Sequence, residues 1–246
     1  MSNNQSQYPY GNEFSAPTDL FAAAAAADER AGFIMKTYLY LLGAIAALIA
    51  IETVIFTAMP GLVNAFMGAL GAGQASWLIA LGAFMLVSWV ANSWAQNATS
   101  SALQHAGLGL YIVAMSVIMI PLLYVAQQVG EGLILSAGVT TAGLFAMLTL
   151  AVFVTRKDFS FLRSILWFSS LAALGLIVAS LIFGFSLGLV FIYAMIALFC
   201  GYILYDTSNI LHHYRIGQHV AASLALFASV VMLFWWILRL YIARGE

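Results

Sequence analysis

The sequence predicts an all-α integral membrane protein, a bundle of seven transmembrane helices. Three observations carry this. Apolar residues make up 64% of the 246 and charged residues only 7%, whereas a soluble domain carries about 25% charged residues on its hydrated surface. Four long stretches, 53–130, 132–155, 164–205 and 216–238, contain no Asp, Glu, Lys or Arg. None of them shows the roughly 10-residue alternation of barrel strands. A helix needs about 20 apolar residues to cross the hydrocarbon core, and it satisfies its own backbone while doing so.

Turn and polar signals divide these stretches into spans. The first runs from about Phe33 to Ala58 and stops at Pro60-Gly61. The second covers Trp77–Ala95 and ends in the polar run Gln96–Ser101. The third lies near Leu108–Gln127, where Pro121 removes a helical donor. The fourth, Leu133–Val154, ends at Thr155-Arg156-Lys157-Asp158. The 42-residue run after Arg163 is too long for one helix, so it folds back at Gly184–Gly188. That gives spans at Phe161–Phe183 and Leu187–Asn209, and a seventh at Val220–Tyr241. Residues 1–30 are polar and then alanine-rich, with no basic segment before a short apolar core. They read as a mobile cytoplasmic tail rather than a signal peptide, and residues 31–246 form the membrane domain.

Charge sets the orientation and excludes other classes. With the N-terminus inside, Arg30, Lys36, Arg156, Lys157, Arg163 and Arg215 all fall on the cytoplasmic side, and only Arg239 and Arg244 lie opposite. The net charge is −1, with no basic tract, which argues against nucleic acid. Cys200 is the single cysteine, so no intrachain disulfide can form.

Ionisable groups inside a membrane are costly and are therefore the first candidates for function. Asp206 lies near the cytoplasmic end of the sixth span. Helical spacing places Tyr202, Asp206, Asn209 and His213 on one face. This polar stripe leads toward a loop with His212, His213 and His219. Glu52 lies about 27 Å along the first span, near the outer face, where an interfacial carboxylate reaching headgroups is the favoured reading. The histidines lack a carboxylate or cysteine at ligand spacing, so no metal is expected. His212 and His213 remain a pH-responsive loop, since histidines titrate near neutrality. Gly184-Phe185-Ser186-Leu187-Gly188 spells the string of a hydrolase elbow. It lacks the strand before it and the histidine beside it, so it reads as a tight turn. No enzyme activity and no cofactor are expected.

Thr155–Leu162 (TRKDFSFL), Gly201–Tyr214 (GYILYDTSNILHHY) and Leu226–Leu240 (LFASVVMLFWWILRL) resemble the Bax inhibitor-1, or transmembrane Bax inhibitor motif, family. The resemblance covers about residues 30–246 and points to a bacterial-type member, expected in the inner membrane. It implies a bundle with the last helix central, and a pH-sensitive leak of cations, chiefly Ca²⁺. The family's sensor is a pair of aspartates. Asp206 matches the first, whereas Ser229 stands where the second is expected. Two carboxylates sharing a site can share a proton or a cation, and a carboxylate facing a hydroxyl loses that mutual repulsion. The basic residues that the family carries at the end of the second span are also absent. The expected function is a membrane-embedded cation channel or transporter with Asp206, Ser229, Tyr202 and Asn209 at its ion or proton site. A non-conducting regulator that binds other membrane proteins is the alternative.

Overall fold

The computed structural model describes residues 21–97 and 100–245. Most of the expected N-terminal tail lies outside them. Eight helices follow in order: α1 (Ala27–Ala58), α2 (Pro60–Leu70), α3 (Gln74–Ala95), α4 (Ser101–Val129), α5 (Leu133–Thr155), α6 (Leu162–Phe183), α7 (Leu189–His212) and α8 (His219–Arg244). All except α2 are long and apolar enough to cross a membrane. These seven are the spans expected from the sequence, with most ends extended by up to seven residues and the starts of α6 and α7 one and two residues later.

The extensions have local causes. The Ser100 hydroxyl accepts from the Leu103 amide and caps α4, so the helix starts well before Leu108. Asp28 and Glu29 occupy the first turn of α1, where acidic side chains favour the positive end of the helix dipole. At 32 residues, α1 is about 48 Å long and must project beyond the hydrocarbon. The short α2 departs from the expected connection. Pro60 stops α1 but also sits in the first turn of a new helix, where its missing N–H costs nothing. Val63 and Leu70 hold that helix down as its buried residues.

The long helices run back and forth, so the bundle has two ends. One end carries the start of α1 and the α5–α6 and α7–α8 connections, together with His105, His212, His213 and His219. The other carries the Gly184–Gly188 turn. At Gly184 the backbone takes φ +72° and ends α6 in the left-handed region that favours glycine.

The centre of the bundle is α8. It packs against α1, α3, α4, α5 and α7, and its most apolar stretch is 72% buried, against 17% for α1 and 11% for α6. Its neighbours keep much of their surface for lipid, whereas α8 is covered by helices on most sides. The closest helix pairing elsewhere is α3 with α4. A Cβ added to Gly107 would lie 2.5 Å from the Ala91 carbonyl oxygen and 2.6 Å from the Ala95 nitrogen. Ala91 and Ala95 are themselves fully buried, which is the small-residue contact that lets membrane helices approach closely.

Described residues ahead of α1 are tied to the histidine end. The Ala22 amide donates to the Tyr214 carbonyl at 2.9 Å. The Arg215 guanidinium lies 5.6 Å from the centre of the Phe21 ring.

Candidate functional site

Asp206 lies six residues before the end of α7, turned into the bundle, with 7% of its surface exposed. Its Oδ2 accepts a hydrogen bond from Ser229 Oγ at 2.5 Å. Ser229 belongs to α8 and is 5% exposed, so the pair sits in the seam between the outer helix and the central one. Two neighbouring turns explain why the chain folds this way. Ile203 and Ile210 flank Asp206 on α7, and Leu226 and Leu233 flank Ser229 on α8; all four are fully buried. Apolar packing on both sides fixes the register and carries the carboxylate inward. Its charge has no ion-pair partner among the described residues. Burying an unpaired carboxylate is expensive, and only the hydroxyl offsets part of that cost.

The rest of the expected stripe divides among other partners. Tyr202 turns toward α6, where its hydroxyl shares a 2.8 Å hydrogen bond with Ser170 and approaches the Leu166 carbonyl at 3.4 Å. Asn209 contributes its backbone carbonyl to the amides of His213 and Tyr214, at 2.8 and 2.9 Å. Its side chain lines an open cavity of about 420 Å³ with Arg163, Tyr205 and His213. Helical spacing alone therefore brings Tyr202, Asp206 and Asn209 to one side of α7. That side faces a boundary between neighbours, and residues one turn apart meet different ones.

His212 Nδ1 lies 3.0 Å from the Ser208 carbonyl. His213 Nε2 lies 3.2 Å from Asp158 Oδ2 in the α5–α6 connection. Asp158 also accepts from the Ser160 amide at 2.9 Å and, at 3.4 Å, from the Ser208 hydroxyl. The Ser160 amide, helped by His213, holds the Asp158 carboxyl below the usual carboxylate range. The loop that carries Arg156 and Lys157 is thus tethered to α7 at Ser208, two residues beyond Asp206, and to His213 just past the end of that helix.

Glu52 differs from its expected place at a headgroup interface. Both carboxylate oxygens are buried by protein, and neither has a hydrogen-bond partner. The reason is readable in α1. Its buried residues Phe33, Thr37, Leu41, Ala44 and Leu48 step by three or four along one face, and Glu52 is the next position on it. The packing that buries Leu48 also turns Glu52 inward. The first span therefore supplies a second interior carboxylate, near the end of the bundle remote from Asp206. Among the described residues no three His, Cys, Asp or Glu side chains converge, so these carboxylates would meet a cation one at a time. Ser186 lies in the turn between α6 and α7, at the end opposite the histidines.

Residues 30–246 match the family described as Inhibitor of apoptosis-promoting Bax1. Protein LIFEGUARD 4 of Arabidopsis thaliana is 26% identical over 218 residues, covering 86% of this chain and 85% of that protein. Bax inhibitor 1 of Schizosaccharomyces pombe is 39% identical over 113 residues, 44% of this chain and 41% of the relative. An uncharacterised protein of Pseudomonas aeruginosa is 34% identical over 126 residues, half of this chain and 56% of that one. No solved structure matches.

Proposed function

The chain belongs to the Bax inhibitor-1 family, and from that premise we propose that it is a cation leak channel or transporter whose ion contact is Asp206. The observation that carries this reading is a carboxylate buried between an outer helix and the central helix, bonded to a neutral hydroxyl and paired with no charge. Membrane bundles keep such groups for ion or proton passage. Glu52 provides a second interior carboxylate toward the other end, so a permeating cation has carboxylate oxygens to meet in each half of the bundle. The central helix α8 packs against both α7 and α1, the helices that carry them. Ca²⁺ is the proposed ion, because hard cations take carboxylate and hydroxyl oxygens. Ser186 and the histidines have no catalytic part in this reading. The N-terminus and the Arg156–Asp158 loop face the cytoplasm, which positions Asp206 near that side. A thiol introduced as Lys157→Cys should therefore label only from inside, and strong labelling from outside would reverse the orientation.

The test is Ca²⁺ flux through purified protein in liposomes between pH 6 and 8. Asp206→Asn keeps the shape and removes the charge, so flux should fall on the order of tenfold, the cost of about 1.4 kcal/mol at a barrier. The folded bundle should survive. Unchanged flux in a well-folded Asp206→Asn protein would transfer the proposal to a non-conducting regulator that acts through other membrane proteins.

A further inference from the structure

Of the eight basic residues, only Arg239 and Arg244 stand at the end of the bundle remote from the histidines. Arg244, the last residue of α8, donates to the Tyr193 hydroxyl and lies 5.7 Å from the centre of that ring. Arg239 lies five residues deeper, about 7.5 Å along the helix axis. Its guanidinium is 5.9 Å from the centre of the Trp236 ring. No carboxylate comes within ion-pair distance of it among the described residues. Glu52 and Glu131, the carboxylates toward this end, both stay away.

Arg239 borders a cavity of about 360 Å³ to which α2, α3, α4, α7 and α8 all contribute. The other ten lining residues are apolar or aromatic, among them Met67, Trp77, Leu122, Val125 and Trp235. Trp77 and Val125 keep more than a third of their surface exposed, so the cavity opens to the outside of the bundle on that side. One permanent positive charge on an otherwise apolar wall makes the pocket amphipathic. A guanidinium cannot shed its proton to escape such a place. It calls for an anion instead.

We propose that this pocket binds an ionised single-chain fatty acid, its carboxylate on Arg239 and its chain among Met67, Leu122, Val125 and the two tryptophans. The two oxygens of a carboxylate match the fork of one guanidinium. A lipid phosphate brings further anionic oxygens, and no second cation lines the cavity to receive them. The volume lies at the lower end of the range for small-molecule sites, which suits one chain rather than the paired chains of a phospholipid. A cationic amphiphile is repelled, and a neutral one leaves the guanidinium without its anion. The site uses neither Asp206 nor Glu52, so it holds whether or not the bundle conducts.

The experiment is thermal unfolding of the full chain in a nonionic detergent at pH 8, with laurate, methyl laurate or phosphatidylglycerol added in turn. Laurate well above its Kd should raise Tm by several degrees, because a ligand that binds only the folded state stabilises it. Methyl laurate has the chain without the charge and should leave Tm unchanged. Arg239→Gln should weaken laurate binding roughly tenfold, the scale of one charge-assisted pair. Ala243→Trp fills the pocket from its edge and should abolish the shift; both substitutions fall at exposed positions. An equal rise with methyl laurate, or an undiminished one in the two variants, would overturn the proposal as a general effect of the chain. A larger rise with phosphatidylglycerol would overturn it in favour of a lipid phosphate. No rise with laurate on the wild-type protein would overturn it whatever the variants do.

Discussion

Ser229 Oγ lies 2.5 Å from Asp206 Oδ2, across the seam between the central helix and α7. A hydroxyl occupies the place where the family resemblance implies a second carboxylate, in direct contact with the first.

That contact makes Ser229→Asp an informative variant. Two carboxylates at this separation repel unless they share a proton or a cation. The variant should be less thermally stable than wild type in chelator, and Ca²⁺ should restore Tm by several degrees. Its flux should depend on pH closer to neutrality than that of wild type. A Ser229→Asp protein whose Tm ignores Ca²⁺ would show that the seam does not admit the ion.

Glu52 offers the corresponding test near the other end. Its carboxylate is buried without a partner, an arrangement kept at some cost in stability. Glu52→Gln removes the charge at nearly constant shape, so Tm should hold or rise while Ca²⁺ flux falls severalfold. Activity and stability moving in opposite directions is the mark of a functional rather than a structural group. A joint fall of both in Glu52→Gln would assign the residue to packing.

Most of the helices, and Asp206 with them, were legible because membrane physics simplifies the reading. A spanning helix must be long, apolar and free of charge, and the uncharged runs of this chain display that requirement directly. Gly184 at the hairpin was equally plain, since a run too long for one span must turn. What stayed hidden depended on facing direction. In a chain where 64% of residues are apolar, hydropathy hardly separates the lipid side of a helix from its protein side. Hydropathy therefore points Glu52 toward headgroups, although its i+4 relation to Leu48 puts it on the buried face. Tyr202 and Asn209 share a helical side with Asp206, and only the positions of α6 and α8 show that they serve different contacts. Pro60 signals the end of α1, yet proline also begins helices, and here it begins α2.

Close packing gives a prediction with a built-in control. Gly107→Ala would force a methyl group to within 2.6 Å of two backbone atoms of α3, atoms that cannot rotate away. It should cost about 1–3 kcal/mol, as overpacking does. Gly109, on the same helix, has nothing within 4 Å of an added Cβ. Gly109→Ala should therefore stabilise slightly through helix propensity. Detergent denaturation curves of the two variants would decide the matter, and equal effects would contradict the α3–α4 approach.

The tether at Asp158 has a defined pH window. Its carboxyl is held below the ordinary value by the Ser160 amide and by His213. A depressed value in the folded state means that the tether contributes above the unfolded value, about 3.9, and is lost as pH falls through the lower one. A spin label at Lys157→Cys should thus keep its mobility between pH 7 and 5 and loosen only as pH falls below the ordinary carboxylate value of about 3.9. Asp158→Asn should loosen it at every pH. Mobility in that variant identical to wild type at pH 7 would remove Asp158 from the role.

The burial of α8 also bears on how the protein is made. Synthesis proceeds from the N-terminus, so α1 to α7 leave the ribosome before the helix that fills the space among them. Until α8 enters the bilayer, α7 has no counterpart for Asp206, and the inner faces of α1, α4 and α5 lack the surface they are shaped to meet. Six spanning segments at that stage surround a place that α8 has yet to fill. Asp206 acquires its neighbour Ser229 only when α8 takes that place.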